Sequence, residues 1–407
     1  MKKIFALVLT AAMLFGAAAC QTESEGTQGV TDTSITVANS AAASGAFAPV
    51  GVPFNAGIEA YFRMVNEGEG GIDGRNLVFL HYTDDEFDPI KGKAALEGMV
   101  EDAKVFAIVG HFGTPTVAAT VEDLKEYGIP AVYFATGIGQ LYATNAATNA
   151  EGFNLFPVQP IYQTEGRIMV AYAAGMFGAS RIGVIYTNDD AGMDLFAGVR
   201  EQVELLDGIE LVAEQVTAGS PDVSAAVTSI KNANVDFIIV ASIQATMPTI
   251  VKELAAQSVN VDCVTTYVNV ALAQSAAVAE DIQGKFDVYG LGWVSMDLPE
   301  DMAVFADWIQ ADYAANSFAM AGWIAGHFFT EGVRRLEGKE VTWESYMEAL
   351  EEAPIRAPFG GFVDFTNGQR LGVQEMNLSK IVPLADEFPL GWQQVGGFQG
   401  ITSLIGE

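Results

Sequence analysis

Short apolar runs rich in Val, Ile, Phe and Tyr alternate with amphipathic stretches along almost the whole chain. The runs SITVANSA, NLVFLHYTDD, VFAIVG, IPAVYFA, RIGVIYTN, IELVAEQVTA, VDFIIVAS, VDCVTTYV and KFDVYGLGW are short and β-branched, as strands buried on both faces of a parallel sheet should be. Between them, apolar positions recur at helical spacing over 54–66, 89–102, 114–128, 164–177, 193–206, 223–234 and 247–257, and later over 299–313, 318–336 and 342–353. The C-terminus changes character: GGFVDFTNGQRLG and the segments after it read as hairpin and meander, with Asn367-Gly368 as the turn. Such alternation predicts an α/β architecture of two doubly wound parallel-sheet lobes, since right-handed crossovers of this kind build parallel sheets.

The segment KVFAIVGHFGTPTVAATVEDLKEYGIPAVYFATGIGQL is the most informative in the chain. A strand ends at Gly110–Gly113, and Thr114 stands where a helix N-cap belongs, ahead of Pro115. The helix closes at Gly128, and the next strand runs into Thr136-Gly137-Ile138-Gly139. Two such turns put backbone N–H groups and threonine hydroxyls at the carboxyl ends of neighbouring strands, where open α/β sheets bind ligands. No catalytic group stands within them, which points to holding a small, anionic-ended ligand. Ser220-Pro221-Asp222 repeats the cap-then-proline pattern before 223–234.

The first nineteen residues stand outside this pattern. Met1-Lys2-Lys3, an apolar run and Gly16-Ala17-Ala18-Ala19 form a secretory signal. Ala18-Ala19-Cys20 then fits a lipoprotein site with Cys20 acylated, while Ala17-x-Ala19 would also serve ordinary signal peptidase. Residues 20–33 (CQTESEGTQGVTDT) read as a polar, flexible tether. The remaining chain is too long for one ordinary core and suits two lobes. The full sequence carries a formal charge of −31, which argues against nucleic acid or anionic membrane as partners. Beyond Cys20 the sole cysteine is Cys263, in an apolar run, so it is read as a small buried hydrophobe.

Enzyme motifs are missing from the sequence: no G-x-S-x-G, no P-loop, no H-E-x-x-H and no C-x-x-C occurs. His81, His111 and His327 are isolated, so no metal and no cofactor is expected. Asp84, Asp85, Glu86 and Asp88 are read as capping and helix-dipole partners rather than ion ligands.

With AASGAFAPVG, GGIDGRNLVFLHYTDDEFDP, FAIVGHFGTPT, RIGVIYTNDDAG and TAGSPDVSAAV in this order, the chain resembles the solute-binding proteins of the branched-chain amino acid ABC transporter family, with periplasmic binding protein type I fold. The resemblance covers the chain from Ser34 onward. It implies two lobes, 34–156 with 293–375 and 157–292 with 376–407, joined by three crossovers and closing on a ligand. It implies a carboxylate grip at Gly113 and Thr114 with Phe112 beside it, and a second turn at Ala135, Thr136 and Gly137. Phe47, Val50 and Phe318 would line the first-lobe wall, and Tyr186, Ala191 and Tyr267 the second.

Tyr267 stands where the family's leucine binders carry the carboxylate that meets the ammonium group, and Ala191 where a tyrosine is expected. A buried ammonium with no counter-charge is costly. An amine-free carboxylic acid, an aromatic acid or a small amide therefore fits as well as a branched-chain amino acid. The resemblance implies a monomer, tethered to the membrane by lipid at Cys20, that delivers a small-molecule ligand to an ABC permease. A ligand sensor acting on a receptor or regulatory partner is the alternative.

Overall fold

The computed structural model describes residues 27–146 and 152–407; Cys20 and the signal segment lie outside them. In chain order the strands are β1 (Ser34–Ser40), β2 (Asn76–Thr83), β3 (Ala107–Phe112), β4 (Ala131–Ala135), β5 (Leu155–Phe156), β6 (Arg181–Thr187), β7 (Glu210–Val216), β8 (Phe237–Ala241), β9 (Cys263–Thr265), β10 (Val288–Gly292), β11 (Ile355–Arg356), β12 (Phe362–Val363), β13 (Glu375–Ile381) and β14 (Trp392–Gly400). The helices are α1 (Ala48–Arg63), α2 (Pro89–Glu97), α3 (Thr114–Tyr127), α4 (Tyr162–Ala171), α5 (Asp190–Leu205), α6 (Ser224–Ala233), α7 (Thr246–Ala256), α8 (Leu272–Ile282), α9 (Pro299–Trp308), α10 (Ser317–Arg334), α11 (Trp343–Glu351) and α12 (Ile401–Ile405).

Two large sheets organise the chain. The first is parallel, with order β2-β1-β3-β4-β5. The second has order β14-β13-β10-β9-β8-β6-β7, in which β7 through β10 are parallel and β13 and β14 antiparallel. The chain passes from the first sheet to the second after β5 and enters the second again at β13. In between it adds α10 to α1, where glycines let the two helices touch. A Cβ on Gly57 would lie 2.0 Å from the Ala319 carbonyl oxygen, and one on Gly322 1.8 Å from that of Phe54.

Several local expectations shift. Residues 27–33 do not run free as a tether. Gln28 Nε2 donates to the Val105 carbonyl at 2.8 Å, and Val30 bridges to Ile35. The cap of α3 is Gly113, with Thr114 already helical and Pro115 one place further in. Pro221 likewise stands outside α6, whose start is held by Asp222 Oδ1 accepting from the Ser224 N–H at 3.0 Å. Asn367 and Gly368 do turn with positive φ, between buried Phe365 and Arg370, and the flanking segments meet at an isolated antiparallel bridge, Val363–Val373, rather than along an extended ladder. The C-terminal hairpin is β13–β14, and α8 had no counterpart in the sequence pattern because its apolar spacing is blurred by small residues.

Candidate functional site

A cavity of about 310 Å³ opens between the carboxyl ends of the two sheets. On the first side it is bounded by the chain leaving β1, by the end of β3 and by the end of β4, which flank the point where strand order reverses. Of the expected residues, Phe47, Val50, Phe112, Gly113, Thr114, Ala135, Tyr267 and Phe318 line it. Four do not. Thr136 sits one layer behind, its hydroxyl 2.9 Å from that of Thr114. Gly137 packs under Tyr162, whose N–H its carbonyl receives at 2.8 Å. Tyr186 is turned onto Phe196, with the rings stacked at 3.9 Å, and Ala191 is buried inside α5. Both belong to the β6–α5 turn, and the cavity lies further along the sheet, against the ends of β8, β9 and β10 and the β13–β14 hairpin. Asp189 caps α5, accepting from the Thr187 hydroxyl at 2.6 Å and the Gly192 N–H at 3.0 Å.

The sequence pattern left much of the wall unmarked. Phe87 stacks on Phe47 at 3.6 Å and meets Phe112 edge-on at 6.2 Å, while Phe54 lies 5.6 Å behind Phe112. Phe87 is placed by the acidic loop before α2. Buried Asp85 accepts from the Phe87 N–H at 2.9 Å and from the Ser40 hydroxyl at 3.0 Å, and Asp88 caps α2. The acids of that loop cap and lock it, as their position before a helix suggests. Gly113 is required by the same ring: its φ is +90°, and a Cβ there would lie 2.6 Å from Phe87. Trp293, directly after β10, also faces the cavity, 6.4 Å from the Tyr267 ring.

Two polar clusters stand where the two sheets meet. The first is the start of α3, which has no side-chain cap. There the Thr114, Thr136 and Tyr162 hydroxyls share hydrogen bonds, and burial keeps the Tyr162 phenol protonated. The second is an amide bridge: Gln159 Oε1 accepts from the Tyr267 hydroxyl at 2.9 Å, and Gln159 Nε2 donates to the Tyr133 hydroxyl at 2.7 Å. Beneath it, Glu165 accepts from the Thr266 hydroxyl at 2.6 Å and the Tyr267 N–H at 2.8 Å. With no cation beside it, burial pushes its carboxyl up to about 8. No Lys, Arg or His among the described residues lines the cavity, and its two carboxylates, Asp297 and Glu387, are exposed at the rim. His111 is buried behind the wall, 2.7 Å from the Thr120 hydroxyl, and burial lowers its pKa to about 4.

Comparison with known proteins settles the family. A family model described as "Periplasmic binding protein" matches residues 34–386. The chain belongs to the periplasmic binding protein family. Among relatives of this periplasmic binding protein, an amino acid binding protein of Pseudomonas aeruginosa is 26% identical over 42% of the chain and 43% of its own length. A Leu/Ile/Val-binding protein of Citrobacter freundii is 25% identical over 50% of the chain and 53% of its own. The chain thus spans about half the length of these curated relatives.

Solved structures align more completely. A fatty acid ABC transporter substrate-binding protein from Thermomonospora curvata matches with a TM-score of 0.78 and 17% identity, over 94% of this chain and 96% of that one. A branched chain amino acid ABC transporter protein from Thermus thermophilus with bound valine gives 0.76 and 15%, over 92% and 98%. At such identities they establish a shared mixed α/β fold with parallel sheets. Among the described residues, no helix is long and apolar enough to cross a membrane.

Proposed function

We propose that this periplasmic binding protein captures a small amine-free carboxylic acid in the cavity between its lobes and hands it to an ABC permease. The observation that carries the reading is the asymmetry of the cavity's polar groups. Hydroxyls and an uncapped helix start suit an anionic end, because helix N-termini carry partial positive charge and free donors. Opposite them stand Tyr267 and Trp293, and the Tyr267 hydroxyl is already spent on Gln159. An ammonium placed there would be desolvated without a carboxylate to meet it. The fold itself is neutral on this point, since solved proteins that share it include one named as a fatty acid ABC transporter substrate-binding protein and one with bound valine.

Binding then follows from charge-assisted hydrogen bonds at the α3 start and from burial of the apolar remainder among Phe47, Phe87, Phe112 and Phe318. Residues 1–19 as an export signal, Cys20 as a lipid anchor, and the division into 34–156 with 293–375 against 157–292 with 376–407 complete the proposal. A thermal-shift panel on the purified protein tests it. Simple carboxylic acids should raise the melting temperature, and leucine or valine should not exceed them. Response to free amino acids alone would sink it.

A further inference from the structure

The cavity does not stop at the lobe interface. On the second sheet its wall begins beyond β8 at Ile243 and Gln244, skips the β6 end, and continues past β9 and β10 to β13 and β14. From β8 to β14 are four strand spacings of ~4.8 Å, roughly 19 Å along the sheet. On the β13–β14 ribbon the lining takes Asn377 and Ser379 from β13 and Trp392, Gln393 and Gln394 from β14, with Gln394 paired to Ser379. A single amino acid held at Thr114 would leave this arm unused.

The arm suits an apolar occupant even though several of its residues are polar, because Asn377, Gln394, Gln244 and Trp392 each commit a polar atom within the protein. Asn377 Nδ2 donates to the Val294 carbonyl at 3.2 Å, and Gln394 Oε1 accepts from the Ser295 hydroxyl at 2.9 Å. Gln244 Oε1 accepts from Gln274 Nε2 at 3.2 Å, and Trp392 Nε1 donates to the Ala271 carbonyl at 3.1 Å. What remains facing inward includes Val268, Val270, Phe388 and the Trp392 ring. Among the described residues no Lys, Arg or His lines the arm, and the carboxylates Asp297 and Glu387 at the rim would repel a second anionic end.

We infer that the ligand is an elongated monocarboxylic acid, its carboxylate at the start of α3 and its apolar body running past Trp293 into the arm under the C-terminal hairpin. The inference rests on the carboxylate reading of the cavity and adds length and single charge to it. An eight-carbon acid, roughly 10 Å long with C–C bonds of ~1.5 Å, fits within the arm's reach.

Calorimetric titration of the mature protein with butanoate, hexanoate, octanoate and octanedioate tests it. Affinity should rise about fourfold per added methylene from butanoate to octanoate, as expected for burial of one CH₂. Octanedioate should bind at least tenfold more weakly than octanoate, since its second carboxylate would be buried without a partner. Val270→Phe, which intrudes on the arm, should cut the ratio of octanoate to butanoate affinity at least tenfold; the series on the unaltered protein stands even if that variant misfolds. If butanoate binds and longer acids gain nothing, the elongated ligand is overturned while the carboxylate reading survives. If octanedioate matches octanoate, the single-charge assignment is overturned. If no monocarboxylate of any length binds, the inference fails together with the reading beneath it.

Discussion

The Tyr267 hydroxyl donates to Gln159 Oε1 at 2.9 Å, and the same amide donates from Nε2 to the Tyr133 hydroxyl at 2.7 Å. One side chain thus ties the loop after β9 to β4 of the other sheet and fixes how the Tyr267 ring meets the cavity. Both phenols are buried, and that burial raises their pKa. Gln159→Leu leaves Tyr267 and Tyr133 without these partners. It should lower stability by about 1–3 kcal/mol, read from the urea midpoint.

Thr114 is the residue on which the carboxylate reading turns. Thr114→Val keeps the shape and removes the hydroxyl shared with Thr136. Affinity for a bound carboxylic acid should fall about tenfold or more, the cost of one charge-assisted hydrogen bond, while Thr114→Ser retains most of it. Isothermal titration of the three proteins decides. Equal affinity in the valine variant would remove Thr114 from the site.

Glu165 makes stability depend on pH. Its carboxyl stands near 8 in the folded chain against 4.5 as the ordinary value, so the folded state holds the proton over that window and the unfolded state does not. Stability is therefore full below about 4.5 and declines as pH rises toward 8. Glu165→Gln keeps the acceptor for the Tyr267 N–H and cannot ionise. Melting temperatures of variant and parent should coincide near the acid end and diverge above neutrality, with the variant higher. Parallel profiles would exclude ionisation of Glu165 as the cause.

Arg370 is 1% exposed and ties the chain before β5 to the end of α11. Its guanidinium lies 4.1 Å from the centre of the Phe156 ring, pairs with Glu351, and donates to the Phe153 and Gln369 carbonyls, each at 2.8 Å. Glu351→Ala leaves that buried charge uncompensated and should cost about 3–5 kcal/mol in chemical denaturation. An effect under about 1 kcal/mol would mean the pair is solvated.

Gly113→Ala asks a β-carbon to enter a backbone at φ +90° and the space of the Phe87 ring. A strain of about 1–3 kcal/mol is expected. Ligand affinity should drop as well, because Phe87 must leave Phe47, on which it is stacked. A melt and a titration of the same variant report the two effects separately.

Much of this was legible along the chain. Strand and helix order follow from apolar spacing, which is a local property of L-residues on a period of 2 or 3.6. The turns at Gly113–Thr114 and Ala135 could be named because glycine, proline and threonine carry their turn chemistry with them. Phe87 could be named only from the fold: its neighbours Asp85 and Asp88 looked like any acids before a helix, and the ring they place meets Phe47 and Phe112 across three separate segments. Tyr186 and Ala191 show the opposite case. They flank the β6–α5 turn, Tyr186 near the strand end and Ala191 in the first turn of the helix, yet the cavity lies beside other strands of the same sheet.

By itself the sequence determined the alternation of elements, the two parallel-sheet systems, the family resemblance and the strand-to-helix turn at Gly113–Thr114. The tertiary structure alone decided which aromatic rings face one another, that Gln159 commits the Tyr267 hydroxyl, and that the cavity extends to the β13–β14 hairpin. The reason is physical. Periodicity and turn preference act between residues a few positions apart, whereas this cavity joins residues from Phe47 to Gln394, whose proximity depends on how two sheets pack and how the chain crosses between them.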